Sequence, residues 1–295
     1  MTSPSLGTFA RLAIAPAGTP VAQFADALEF TSESLRREQT LLDTAGLRGT
    51  RAHPLERTRT GTSLIQGELR LPVSPAGLAL LWPRILGGTP VEGQFPLAES
   101  LPACDLLVDR VARRFVYRGC RVDRAVLRGR VGGLLELAVE WIGATEEVLT
   151  TPAPNLAPPL DPPLVFHDST LTLRQLDRPL LEFELVIDNH LAVRFANSPT
   201  PGEIFPVDRT VQLTALLPFT PEAVDLYGLG AVGIGAGLLR FTNGPQSVAI
   251  QLPAIQWADR SPVVAGRQEI TLPLTGFARR TVTQPELLVQ HTSTT

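Results

Sequence analysis

Apolar and polar residues alternate along much of the chain, and alternation predicts half-buried strands. In the N-terminal half it runs through SLIQGELRL (Ser63–Leu71), FVYRGCRV (Phe115–Val122) and LLELAVEWIG (Leu134–Gly143). In the C-terminal half it runs through LEFELVIDNHLAVRF (Leu181–Phe195), TVQLTALL (Thr210–Leu217), VAIQLPAI (Val248–Ile255) and QEITLPLTG (Gln268–Gly276). Two stretches break the pattern in the same way: LPVSPAGLALL (Leu71–Leu81) and LPFTPEAVDLY (Leu217–Tyr227). Each predicts a short helix, starting at Ser74-Pro75 or Thr220-Pro221. The hydroxyl residue caps and proline takes the first helical position.

These blocks recur in order. LEF at Leu28–Phe30, opening LEFTSESL, echoes LEF at Leu181–Phe183 at an offset of 153; the Leu-Pro motifs follow at 146; the last two strand pairs both lie at 133. A constant offset over two strands is what duplication predicts, and internal repeats decide a fold before any local feature does. The falling offset gives the first copy longer loops, around Thr40–Gly61 and between Gly87 and Arg114. Between the copies lies TPAPNLAPPLDPP (Thr151–Pro163), whose prolines forbid a central strand or helix interior and suit a stiff extended linker. The expected organisation is a first domain over residues 1–150 with an N-terminal arm, a linker over 151–163, and a second domain over 164–295 with a C-terminal arm. Each would be a mainly β barrel or sandwich with one flanking short helix.

Composition narrows the function. The chain of 295 residues is 44% apolar and 19% charged, enough to bury real cores. Its formal net charge of −3 gives no global case for nucleic-acid or membrane binding. All 26 basic residues are arginine, so the surface carries planar bidentate donors suited to carboxylates. Cys104 and Cys120 are too few for a disulfide framework and read as reduced apolar residues. The start, MTSPSLGTFARLAIA, lacks a charged segment ahead of an apolar core and is not expected to be a signal peptide. No apolar run reaches the ~18 residues of a membrane span, so no membrane anchor is expected.

The order of elements resembles a known family. The alternating strand leads into LPVSPAGLALLWPRILGG; then come VYRGCRV and GGLLELAVEWIG, and the second copy opens with LVIDNHLAVRF. This resembles the tail tube (major tail) proteins of long-tailed bacteriophages over roughly residues 25–145 and 180–278. The second copy departs from it in having Ile250-Gln-Leu-Pro in place of Tyr-x-Gly-Cys. The resemblance implies a non-enzymatic virion protein, made in the host cytoplasm, whose rings stack into a hollow tube for DNA ejection. With two copies per chain, three chains would make a pseudo-sixfold ring. The implied partners are other copies of the chain, the tape measure protein and other tail proteins, and DNA passing through the lumen without sequence-specific contacts. A phage-derived injection machine or tailocin tube shares this architecture. A receptor- or carbohydrate-binding β-sandwich pair is the other alternative, although three Trp and two Tyr are few for it.

Chemical motifs add little. Gly228-Leu-Gly230-Ala-Val-Gly233 fits a dinucleotide pattern, but a helix precedes it where a strand is required. GLGAVGIGAGLL (Gly228–Leu239) is too short to span a bilayer and reads as an apolar loop or edge. Eight arginines between Arg110 and Arg130 cannot share one strand face and read as solvated positions and subunit contacts. His53, His167, His190 and His291 lack metal-ligand spacing, so neither metal nor cofactor is expected. Asp188-Asn189 suits a turn or bulge. The long polar connection Thr40–Gly61 is expected to be mobile in the free subunit and to order against the next ring. Its candidate contact residues are Arg48, Arg51, His53, Arg57 and Arg59, with the arginines pairing carboxylates there.

Overall fold

The computed structural model describes residues 5–44, 46–150, 154, 157–229, 234–258, 260–264 and 266–293. The fold is mainly β and antiparallel. The N-terminal half contains β1 (Arg11–Pro16), β2 (Asp26–Leu28), β3 (Ser32–Glu33), β4 (Arg36–Leu42), β5 (Arg59–Pro72), helix α1 (Pro75–Leu86), β6 (Gln94–Phe95), β7 (Cys104–Asp109), β8 (Arg114–Arg130), β9 (Glu136–Gly143) and β10 (Thr145–Leu149). β8 belongs to two sheets. Its first part pairs with β7 and β10, and β7 continues through β1 to β2. Its second part pairs with β9, which leads to β5 and then to β3 and β4. Register shifts at Cys104/Leu106 and Val122/Arg124 flank the crossing, where bulges let a strand bend.

The C-terminal half contains β11 (Ser169–Leu173), β12 (Leu176–Arg178), β13 (Glu182–Asp188), β14 (Leu191–Arg194), β15 (Glu203–Pro206), β16 (Thr210–Pro218), β17 (Ile234–Asn243), β18 (Gln246–Ala258), β19 (Thr271–Ala278) and β20 (Leu288–Ser293). Here β18 pairs first with β17 and β20, and β17 continues through β11 to β12. Its last part pairs with β19, which leads to β16 and then to β13. With β3 and β4 together standing for β13, and apart from β6 and the β14–β15 hairpin, this is the order found in the first half.

The two helical sites differ. Ser74 Oγ accepts the Gly77 N–H (3.2 Å), Pro75 opens α1, and Gly87 ends it at φ 89°. The helix buries Leu78, Leu81, Trp82, Ile85 and Leu86. Its cap is completed from the linker: Asp161 takes the Ser74 hydroxyl (3.1 Å) and the Ala76 N–H (2.8 Å). The expected second helix is instead a 3-10 turn, Pro221–Leu226, and Thr220 makes no side-chain cap. It buries only Ala223 and Leu226, so there is little packing to hold more turns.

Two sequence matches sit out of register. With the Leu-Pro motifs as anchors, Leu71 faces Leu137 and Leu217 faces Leu272, an offset of 135 rather than 133. The parity is unchanged, so the same residues stay buried. The LEF match is displaced by three. Leu28 ends β2 beside β1, and Leu185 corresponds instead to Leu35; Leu35 and Leu185 are each 1% exposed. LEFELVIDNHLAVRF is not one strand either. It breaks at Asp188–His190, where His190 has φ 43° and donates its N–H to Asp188 Oδ1 (3.0 Å). Beyond the break, β14 and β15 form a separate hairpin. Of the proline-rich segment, residues 157–163 carry neither helix nor strand; positions 151–153, 155 and 156 lie outside the described residues.

Candidate assembly surfaces

The two halves meet through a strand pair. β13 lies antiparallel to β8, from Glu182 opposite Arg130 to Asp188 opposite Arg124. The result is one sheet in the order β4-β5-β9-β8-β13-β16-β19-β18. Its inner face is a continuous core through both halves, with Ile65, Leu69, Val139, Leu127, Leu185, Leu213 and Leu274 in one cluster. Its outer face is mostly polar, with an apolar patch of Val126, Ala138 and Val186 over the seam and single apolar positions at Leu64, Ile142, Leu216 and Phe277. Beside that patch Arg128 Nε meets Glu184 Oε2 at 2.6 Å, and Arg124 reaches Glu140 (3.6 Å) and Asp188 (3.9 Å). Burial pushes the Glu140 carboxyl up, and Arg124 opposes that shift.

Further contacts close the seam. β6 pairs with β20, Trp82 Nε1 donates to His291 Nε2 (2.9 Å), and Asn189 Nδ2 donates to the carbonyls of Ile85 (3.2 Å) and Val122 (3.1 Å). Arg209 bridges the Ala98 carbonyl (3.0 Å) and Glu286 (3.2 Å). Burial holds His291 down at about 4, so the ring is neutral near pH 7 and can accept from Trp82.

The predicted contact loop is shorter than expected, because β4 runs to Leu42 and β5 starts at Arg59. Arg59 therefore lies in a strand, opposite Leu42. His53 and Arg48 have partners within the connection itself, at its surface: His53 Nδ1 pairs with Asp43 Oδ2, and Arg48 donates to the Thr44 carbonyl (2.8 Å). The His53 contact is the first cause of the lowered Asp43 pKa. Arg51 and Arg57 are exposed and have no carboxylate partner among the described residues.

The arginine-rich stretch is largely paired. Arg110 grips Glu33, Arg114 meets Asp109, Arg118 meets Asp105 and Glu147, and Arg121 donates to the Leu101 carbonyl. Asp105 is almost fully buried and also accepts the N–H groups of Gly18 and Gly119. Sequence periodicity could not find these partners, which come from other strands or, for Leu101, from the connection ahead of β7. Cys104 and Cys120 are buried free thiols, and burial pushes Cys104 up to about 12. Among the described residues no group of three or more His, Cys, Asp or Glu could hold a metal, and no helix is long and apolar enough to cross a membrane. Part of the Gly228–Gly233 motif lies outside the described residues, and strand β17 begins directly after it, where a dinucleotide site would need a helix.

A family model described as "Phage tail tube protein" matches residues 7–278. The chain belongs to the phage tail tube protein family. The match spans both halves, the seam and the described part of the linker, so this tail tube family member is a structural protein of the phage tail. A comparison with curated proteins finds no match.

Proposed function

We propose that the chain is a tail tube subunit made of two tandem tube domains, and that three chains form a pseudo-sixfold ring. Stacked rings would make the hollow conduit for DNA ejection. The observation that carries this reading is the seam: one half adds laterally to the other by strand pairing, and the two halves repeat the same strand order. A head-to-tail contact repeated with the right rotation closes a ring.

The polar face of the shared sheet is the natural lining. It carries Glu38, Glu68, Glu136, Glu140, Glu182, Glu184 and Asp188 against Arg36, Arg70, Arg124, Arg128 and Arg130. Carboxylates are in surplus, so few cations are left to grip phosphates. DNA must slide, and each neutralised phosphate would raise affinity. The 43–58 connection is proposed to contact the next ring, led by the exposed Arg51 and Arg57, with Arg48 and His53 shaping it and Arg59 at its base. The tape measure protein and other tail proteins are the further partners.

Negative-stain microscopy with mass measurement tests the ring. The expected result is six lobes around a central hole and three chains per ring; six chains with twelve lobes overturns it. Deleting residues 44–57 should leave a folded, soluble subunit that does not polymerise. Normal tube growth by that variant removes the loop from the proposal.

A further inference from the structure

The turn from β7 to β8 is strained, and its counterpart in the second half is not. The Ala112 N–H donates to the Arg110 carbonyl (2.7 Å) across Val111, which has φ 66°. This is the rare positive-φ form of the three-residue turn, and a β-branched residue resists it most. Among the described residues Val111 is the only β-branched one at positive φ. The β17–β18 turn puts Gly244 there (φ 57°) and the β8–β9 turn puts Gly132 there (φ 77°), where glycine bears no such strain. Val111 is 38% exposed, so core packing does not force its shape.

Two anchors hold the turn. Asp109 Oδ1 accepts the Val111 N–H (2.9 Å). Arg110 is gripped from the side: it meets Glu33 through two bonds, 2.6 and 2.9 Å, reaches the Leu35 carbonyl (2.5 Å), and lies 4.8 Å from the Phe115 ring centroid. Tyr117 Oη donates to the same carbonyl (2.9 Å), and the Leu35 N–H donates to Glu33 Oε2 (3.0 Å). These contacts fix the break between β3 and β4. There the chain passes so close over Gly67 that a Cβ would lie 2.5 Å from the Ser34 carbonyl. The counterpart β13 runs unbroken and has no such grip. Beyond the break, β4 is mostly exposed, pairs with β5 alone among the described residues, and leads into the 43–58 connection.

We propose that the Asp109–Arg114 turn is a two-state toggle that sets how firmly β4 is held. In the closed state, seen here, Arg110 is gripped and Val111 bears the strain. In the open state Val111 returns to negative φ, Arg110 leaves Glu33 and Leu35, and the β3–β4 break loosens from β7 and β8. Strain at Val111 works against the grip, which keeps the open state within reach. There is room for the change, since a groove of about 610 Å³ beside the turn is lined by Leu12, Phe30, Thr31 and Val111. Resting on the reading of the 43–58 connection as the contact with the next ring, opening frees β4 and that connection to adjust to it.

Hydrogen exchange of the soluble subunit, read by mass spectrometry on peptides covering 33–42 and 107–115, tests the toggle. Val111→Gly and Val111→Asn relieve the closed state and should slow exchange in both peptides about fivefold or more. Arg110→Gln and the milder Glu33→Gln cut the grip and should speed both, about tenfold for Arg110→Gln, while β16 and β19 exchange as before. Unchanged or faster exchange in both Val111 variants overturns the toggle, as does unchanged exchange in Glu33→Gln. A change confined to 107–115, with 33–42 unmoved, overturns the hold on β4. Polymer growth is read separately: the Val111 variants should lengthen the assembly lag several-fold, and equal lags in all chains overturn the link to the next ring. Exchange shifted as expected in chains that form no rings upholds the toggle and removes the ring reading.

Discussion

The connection from β4 to β5 and the connection from β13 to β16 fill the same topological place, yet only one of them folds into strands. The second forms the β14–β15 hairpin, buries Ile204, and sets its Pro199 carbonyl 2.7 Å from the Ser63 N–H on β5 of the first half. The first has one short 3-10 turn, Leu55–Arg57, and exposes Leu47 and Leu55. The same contrast separates β8 from β18. In both cases the version with a neighbour within the chain is regular and the version without one is not. Local sequence therefore sets only part of the outcome; the adjoining half supplies the rest.

Substitutions can sharpen that contrast. The largest effect is expected at the helices. Trp82→Ala should cost about 3–5 kcal/mol, because it empties a core site and strips His291 of its donor. Leu226→Ala, in the 3-10 counterpart, should cost about 2–3 kcal/mol. Urea titrations of both variants check the order, and equal losses would break the comparison. Acid comes next. His291 sits at about 4 when folded against an ordinary 6.5, so the unfolded chain binds the extra proton first. Stability should be complete above pH 6.5 and fall between 6.5 and 4, by roughly 3 kcal/mol at most. His291→Phe should flatten that slope in pH-dependent melting.

Asp161→Ala should cost on the order of 1 kcal/mol through the α1 cap, whereas Thr220 at the second site has no side-chain cap to lose. The smallest effect is expected across the seam. A double-mutant cycle on Arg128 and Glu184 should give a coupling below about 1 kcal/mol, because the pair is part-exposed. A larger value would mean that charge, rather than the Leu185–Leu127 packing, holds the halves together.

Much of this was legible in the sequence, because strand alternation and a proline-started helix are local signals. Ser74-Pro75 predicted α1 correctly, and alternation found β5, β9, β16 and β19. Short β1 and β11 carried too little pattern to be found. The LEF echo misled because three residues can match by composition while their ladder partners differ. The seam was not legible at all: nothing in Glu182–Asp188 says that Arg124–Arg130 will lie beside it. The Glu33–Arg110 pair was hidden for the same reason, since the two residues are brought together only by the fold.

The Asp161 cap has a consequence in time. Helix α1 receives part of its N-terminal closure from a residue translated 85 positions after Ala76. At about 5–20 residues per second, the ribosome needs several seconds to deliver it. Through that interval the helix start is held by Ser74 alone, and β8 has no β13 beside it. A nascent first half is thus completed only as the second half emerges, which ties the two halves' folding to the order in which they are made.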